Sequence, residues 1–88
     1  MDLFSALAHS TRLRILILLS EHQHLSVGEL VTQLDAEQSA VSHQLAILKK
    51  ARLVTSAAEG KQRLYSLADQ HVAHIVGDAV AHAGETDG

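Results

Sequence analysis

Apolar residues recur along this chain at helical intervals in five stretches and with strand character in two. Residues 2–9 set Leu3, Phe4 and Leu7 on one side of a short helix. Ser10 or Thr11 then offers a cap for a second helix that ends near Ser20. Its run Leu13-Arg14-Ile15-Leu16-Ile17-Leu18-Leu19 is apolar nearly all round, which predicts a helix at the centre of the core. Ser26-Val27-Gly28-Glu29 has the spacing of a capping box, in which the Ser26 hydroxyl and the Glu29 carboxylate each satisfy an unpaired N–H at a helix start. Val27, Leu30, Val31 and Leu34 follow at helical spacing, and Asp35-Ala36-Glu37 makes a short turn. Residues 38–50 then place Val41, Leu45 and Leu48 inward at i, i+4 and i+7.

Two short helices joined by a tight turn define a helix-turn-helix over residues 26–50. Leu53-Val54-Thr55 and Arg63-Leu64-Tyr65 read as strands, with Gly60 as the turn residue between them. A β-hairpin directly after such a motif is a wing, here residues 52–67. The last helix, 69–84, carries Val72, Ile75, Val76, Ala79, Val80 and Ala83 as one stripe. That stripe can pack on its own domain or pair with a second copy. Pairing is favoured, because so short a chain cannot bury every apolar face alone. Residues 1–88 are thus expected to form a single winged helix-turn-helix DNA-binding domain. It is mainly α with a small β-hairpin wing, in the order α-α-α-α-β-β-α.

Composition sharpens this picture in three places. Phe4 and Tyr65 are the only aromatics among 88 residues, so the core must be aliphatic. Cysteine is absent, which removes disulfides, thiolate metal ligands and cysteine nucleophiles. No apolar run approaches the roughly 20 residues that span a bilayer, and Met1-Asp2-Leu3-Phe4 lacks the basic start of a signal peptide. A cytoplasmic protein with no membrane partner is the expectation. The net charge of -3 argues against a uniformly basic nucleic-acid binder. The charge is uneven, however. Residues 36–65 carry Lys49, Lys50, Arg52, Lys61 and Arg63 against Glu37 and Glu59, whereas residues 66–88 carry only Asp69, Asp78, Glu85 and Asp87. A basic middle with an acidic tail is the footprint of a local DNA contact.

With its inward positions assigned, the 38–50 helix presents Gln38, Ser39, Ser42 and His43 outward in its N-terminal half. These donors and acceptors can reach base edges or phosphates when that end enters the major groove. Lys49, Lys50 and Arg52 lie at the far end and suit phosphates, while Lys61 and Arg63 on the wing suit an adjacent groove or backbone. The same residues could serve merely as a solvated surface, and the order of elements favours DNA. The segment Leu7-Ala8-His9-Ser10-Thr11-Arg12-Leu13-Arg14-Ile15-Leu16 resembles the opening signature of the ArsR/SmtB family of metal-responsive repressors. Ser39-Ala40-Val41-Ser42-His43-Gln44-Leu45, with Leu48 and Arg52-Leu53-Val54, is similar to that family's recognition helix and its exit into the wing. The resemblance spans residues 3–85. It implies a winged-helix homodimer whose first and last helices form the interface, and a repressor that occupies operator DNA when metal-free.

Seven histidines bring in a second chemistry. His22 and His24 sit in a polar connection and face solvent, His9 lies near a helix junction in a structural role, and His43 belongs with the DNA face. His71, His74 and His82 remain on the last helix, beside Asp69, Asp78 and Glu85. His71 and His82 lie about 16 Å apart along a helix and about 20° apart around it. They share a face but cannot bind one ion within one chain. Glu85, three residues beyond His82, can share an ion with it. Antiparallel pairing with a symmetry mate brings Asp69 and His71 of one subunit to His82 and Glu85 of the other. The two-fold axis makes two identical sites. Two imidazoles and two carboxylates suit tetrahedral zinc and admit cobalt. The spacing Asp-x-His-x10-His-x2-Glu also resembles the last-helix sensor site of zinc-responsive members of the family, which implies the same roles for Asp69, His71, His82 and Glu85. Asp78 lies on the same face and can substitute as a carboxylate, whereas His74 falls on roughly the opposite face from the apolar stripe. The family's other, thiolate site has no counterpart at Leu25-Ser26-Val27-Gly28-Glu29, which argues against soft metals.

The expected function is therefore a homodimeric repressor released from operator DNA by Zn(II), with Co(II) or Ni(II) as other effectors. Two further readings stay open at this point. One is a regulator of the same fold that senses nickel or a non-metal signal. The other is a metal-binding interaction module that does not touch DNA. An enzyme is not expected, and neither is a small organic substrate. There is no Gly-rich phosphate loop or nucleophile motif, and Ser42 and His43 face apart on their helix.

Overall fold

The longest apolar run makes the longest helix. The computed structural model describes the backbone of residues 3–86 and the side chains of residues 9–82. Within it α1 runs unbroken over Leu3–Glu21, 19 residues. The expected pair of helices, 2–9 and 11–20, is therefore one element, and neither Ser10 nor Thr11 caps a new start. Neither glycine nor proline falls between His9 and Arg12, and the propensity cost of Ser and Thr inside a helix is well under ~1 kcal/mol each, too small to break a packed helix. Phe4 and Leu7, expected on the packed side, lie outside the described side chains. Ile15 and Leu19 are buried, and α1 packs against the second, third and fourth helices, so it is central as expected. Its apolar circumference is not all covered: Leu13 is 59% exposed.

The capping box forms as read. Ser26 Oγ accepts from the Glu29 N–H at 3.1 Å, and the Ser26 N–H donates to Glu29 Oε1 at 2.9 Å, opening α2 at Val27–Leu34. Just before it lies a two-residue strand, β1 (Leu25–Ser26), which no periodicity announces. Asp35 ends α2 in the left-handed region at φ 50, a conformation its short polar side chain tolerates. The next helix, α3, spans Gln38–Lys50.

The exit from α3 is a Schellman turn. The Leu53 N–H donates to the Leu48 carbonyl at 2.9 Å and the Arg52 N–H to the Lys49 carbonyl at 3.0 Å, with Arg52 at φ 64. The wing strands are β2 (Val54–Glu59) and β3 (Gln62–Leu67), each longer than the sequence pattern implied. Pairing continues to Glu59 opposite Gln62, so a two-residue turn suffices, and Gly60 meets its positive φ of 61. β1 pairs with the far edge of β3, giving the antiparallel order β1-β3-β2. The result is the expected winged helix-turn-helix with a mainly helical body, now with four helices and three strands.

Ile15, Leu30, Val41, Leu45 and Leu48 are fully buried where α1, α2 and α3 meet, and the buried cluster is wholly aliphatic. The last helix, α4 (Gln70–Thr86), starts on an Asp69 cap: the Val72 N–H donates to Asp69 Oδ1 at 2.9 Å. Val72, Ala73 and Val76 are half-buried, and α4 packs against α1 and β3. Ile75 and Val80 stay 56% and 37% exposed, so the apolar stripe of α4 is divided between its own domain and solvent. No helix among the described residues is long and apolar enough to cross a membrane.

Candidate nucleic-acid interface and metal centre

The inward row of α3 is Val41, Gln44, Leu45 and Leu48, which turns Gln38, Ser39, Ser42 and His43 outward as one exposed surface. Glu37, at the N-cap, makes no side-chain hydrogen bond there, and no acidic residue stands in the first turn. Lys49 and Lys50 occupy the last turn, where cations are favoured by the helix dipole. Both are exposed, as are Lys61 at the hairpin turn and Arg63 on β3. The structure brings two of these cations together: Lys49 Nζ and Arg63 Nη1 both donate to Ser56 Oγ, at 2.9 and 3.0 Å.

Sequence reasoning missed two residues of this surface. Ser56 was assigned to a loop, but it lies in β2 facing the end of α3. Gln44, 5% exposed, was not among the inward positions although it falls three residues after Val41 on the buried side. Its Oε1 accepts from Arg12 Nε of α1 at 2.9 Å. A lone amide in an otherwise aliphatic helical row was the available signal.

Glu29 has its carboxyl held below its ordinary value of 4.5. The Ser26 backbone N–H does most of this, then the Ser26 hydroxyl, with smaller contributions from His24 and His22. His22, His24, His43 and His74 are exposed. His9 is exposed too, and because α1 is continuous there is no junction for it to support, which corrects the structural role expected of it.

On α4, His71, Ile75, Asp78 and His82 follow one another at i, i+4, i+7 and i+11 and are all exposed. Asp69 spends one carboxylate oxygen on capping Val72, which leaves the other able to ligate. The Glu85 side chain lies outside the described residues. Within one chain these donors do not converge, and no group of three or more ligating side chains forms among the described residues. A complete donor set on this helix needs a second chain. Next to the row, Leu13, Leu16 and Ile17 of α1 and Ile75, Val76, Ala79 and Val80 of α4 line an apolar cleft of about 370 Å³.

A helix-turn-helix that shows a polar row to solvent, flanked by a basic β-hairpin, defines a winged-helix DNA-binding protein. The family model described as bacterial regulatory protein, arsR family, matches residues 9–56, and the chain belongs to that family. The HTH-type transcriptional repressor SmtB of Mycobacterium tuberculosis is 51% identical over 84 residues, covering 96% of this chain and 62% of that protein. The transcriptional repressor SmtB homolog of Synechocystis sp. is 42% identical over 86 residues, covering 98% of this chain and 64% of that protein. The chain thus spans a little under two thirds of the length of these curated relatives. Rv0081 of M. tuberculosis, a solved structure, matches with a TM-score of 0.78 at 36% identity, over 94% of this chain and 83% of that one. The resemblance to the ArsR/SmtB family read from the sequence is borne out, and the family is one of transcriptional regulators rather than enzymes.

Proposed function

We propose that this chain is a transcriptional repressor that binds operator DNA as a homodimer and is released when Zn(II) binds between the two α4 helices. Residues 1–88 act as one DNA-binding unit in the cytoplasm, where the operator is. The observation that carries the proposal is the layout of α4. Its row of His71, Asp78 and His82 runs beside an apolar cleft that includes Leu13 and Ile75, both more than half exposed. A second copy that covers the cleft sets the two rows side by side. Antiparallel, Asp69 and His71 of one subunit meet His82 and Glu85 of the other. Asp78 is the substitute carboxylate. The donors, two imidazoles and two carboxylates per site, fit Zn(II) and also Co(II), with Ni(II) the other candidate effector.

Gln38, Ser39, Ser42 and His43 enter the major groove, and Lys49, Lys50, Lys61 and Arg63 hold the backbone. A two-fold dimer must present its two α3 helices at a spacing near 34 Å or a multiple of it. An effector weakens DNA binding only by favouring a dimer shape that misses that spacing. Residues that lock α4 to its mate can set that shape.

The test is a zinc titration of the protein on a fluorescent duplex taken from its own upstream DNA, followed by anisotropy. Release of the wild type, but not of His71→Ala/His82→Ala, supports the proposal. Equal affinity with and without zinc in the wild type overturns its metal half, and no binding to any upstream duplex at low salt overturns its DNA half.

A further inference from the structure

Lys49 and Arg63 reach one oxygen from two different elements. Ser56 stands opposite Tyr65 in the hairpin register, and Arg63, paired with Ala58, is its diagonal neighbour on the same face of the sheet. On that face Val54 is buried, and Tyr65 and Leu67 pack against the core. Ser56 and Arg63 continue the face beyond the edge of the core, where Lys49 comes down from the last turn of α3. Two cations thereby lie no further apart than two hydrogen-bond lengths, at a cost in mutual repulsion. Among the described residues no carboxylate pairs with either one.

A serine hydroxyl has two lone pairs and one proton. Here both lone pairs take N–H donors, which leaves the O–H to donate outward. An ammonium with two further N–H groups, a guanidinium with four and one hydroxyl proton then converge on the same corner. Such a donor set matches a tetrahedral oxyanion, which also offsets the repulsion between the cations. We infer that Lys49, Ser56 and Arg63 form one composite site that takes a single backbone phosphate of duplex DNA at the corner between α3 and the wing. The inference rests on the DNA-binding reading above and deepens it: helix and wing grip one phosphate jointly, and Ser56 holds the two cations at it.

Salt dependence separates a shared phosphate from two independent ones. Binding to a fluorescent duplex weakens with salt at a logarithmic slope of about 0.9 per phosphate neutralised. A shared phosphate predicts that Lys49→Ala and Arg63→Ala each flatten the slope by clearly less than that amount, because the remaining cation still holds the phosphate. The double variant should flatten it by about 0.9. Losses of about 0.9 for each single variant and about 1.8 for the double one mean two separate phosphates and overturn the inference. Ser56→Ala should weaken binding by about threefold to tenfold with the slope intact, and Ser56→Thr should restore it. Full affinity in Ser56→Ala also overturns it. All three side chains lie at the edge of the wing, and unchanged thermal unfolding by circular dichroism verifies that the variants fold. A wild type that binds no duplex at low salt defeats the DNA-binding reading itself, whereas a wild type that binds with additive slopes defeats only the shared site.

Discussion

Arg12→Ala removes the guanidinium that holds Gln44, and its effect can be worked out from the burial of the two partners. Gln44 is 5% exposed and sits between Val41 and Leu48 on the packed side of α3. Arg12 is only half-buried, and it donates from Nε at 2.9 Å across 32 residues of sequence. Without the donor, the buried amide oxygen has no hydrogen-bond partner, which costs about 1–3 kcal/mol. The lost aliphatic stem of Arg12 adds to this. Gln44→Leu is not the mirror image. It loses the charge-assisted bond, but the freed guanidinium turns to water and a leucine of similar volume joins an aliphatic cluster, so the net change should be near zero. Adding Gln44→Leu to Arg12→Ala should therefore restore stability by about 1–3 kcal/mol. Urea unfolding by far-UV circular dichroism, at one fixed protomer concentration, measures all four corners of the cycle. If Arg12→Ala and the double variant prove equally unstable, the bond does not account for Arg12, and α1 does not anchor the recognition helix through it.

Ser26→Ala should cost about 1 kcal/mol by removing the α2 cap, read as a lower urea midpoint. Glu29 has a folded pKa below its unfolded one, so its contribution is present above 4.5 and is lost as pH falls through the depressed folded value. Glu29→Gln should remove that part of the acid sensitivity, seen in urea midpoints measured down the acid range. Arg52 holds a left-handed φ of 64 at the exit of α3, where a side chain costs about 1–2 kcal/mol. Arg52→Gly should therefore raise the unfolding midpoint while weakening duplex binding in the anisotropy assay, because one cation leaves the basic segment. Ile75→Asp changes a residue that is 56% exposed in the single chain, so its circular dichroism should stay native while light scattering shows a shift to monomer.

What the sequence made legible was local. Val41, Leu45 and Leu48 could be placed because helical spacing alone determines their common face, and Ser26 with Glu29 because a capping box closes within four residues. The helix boundary at Ser10 was misplaced because a possible cap says nothing about whether packing will carry the helix through it. β1 has two residues and no period, and it exists only because β3 offers an edge at Tyr65 and Leu64. Gln44 and Ser56 depend on partners in other elements, Arg12 on one side and Lys49 and Arg63 on the other, which no spacing encodes.

The face shared by His71 and His82 was legible for the same local reason, but a single chain does not complete it into a site. The fold leaves three kinds of surface incomplete, and each implies a different partner. Leu13, Ile75 and Val80 are apolar and exposed, and a second copy of the chain is the cover whose matching surface is available by symmetry. Lys49 and Arg63 are held close together despite their like charge, which only an anion relieves. The α4 donors are spread along one helix face too far apart to share an ion, so they come together only across the same second copy that covers the cleft. Dimer and metal site are thus one requirement seen from two chemistries. A variant that abolishes the dimer without touching a ligand, Ile75→Asp, should lose tight zinc binding as well.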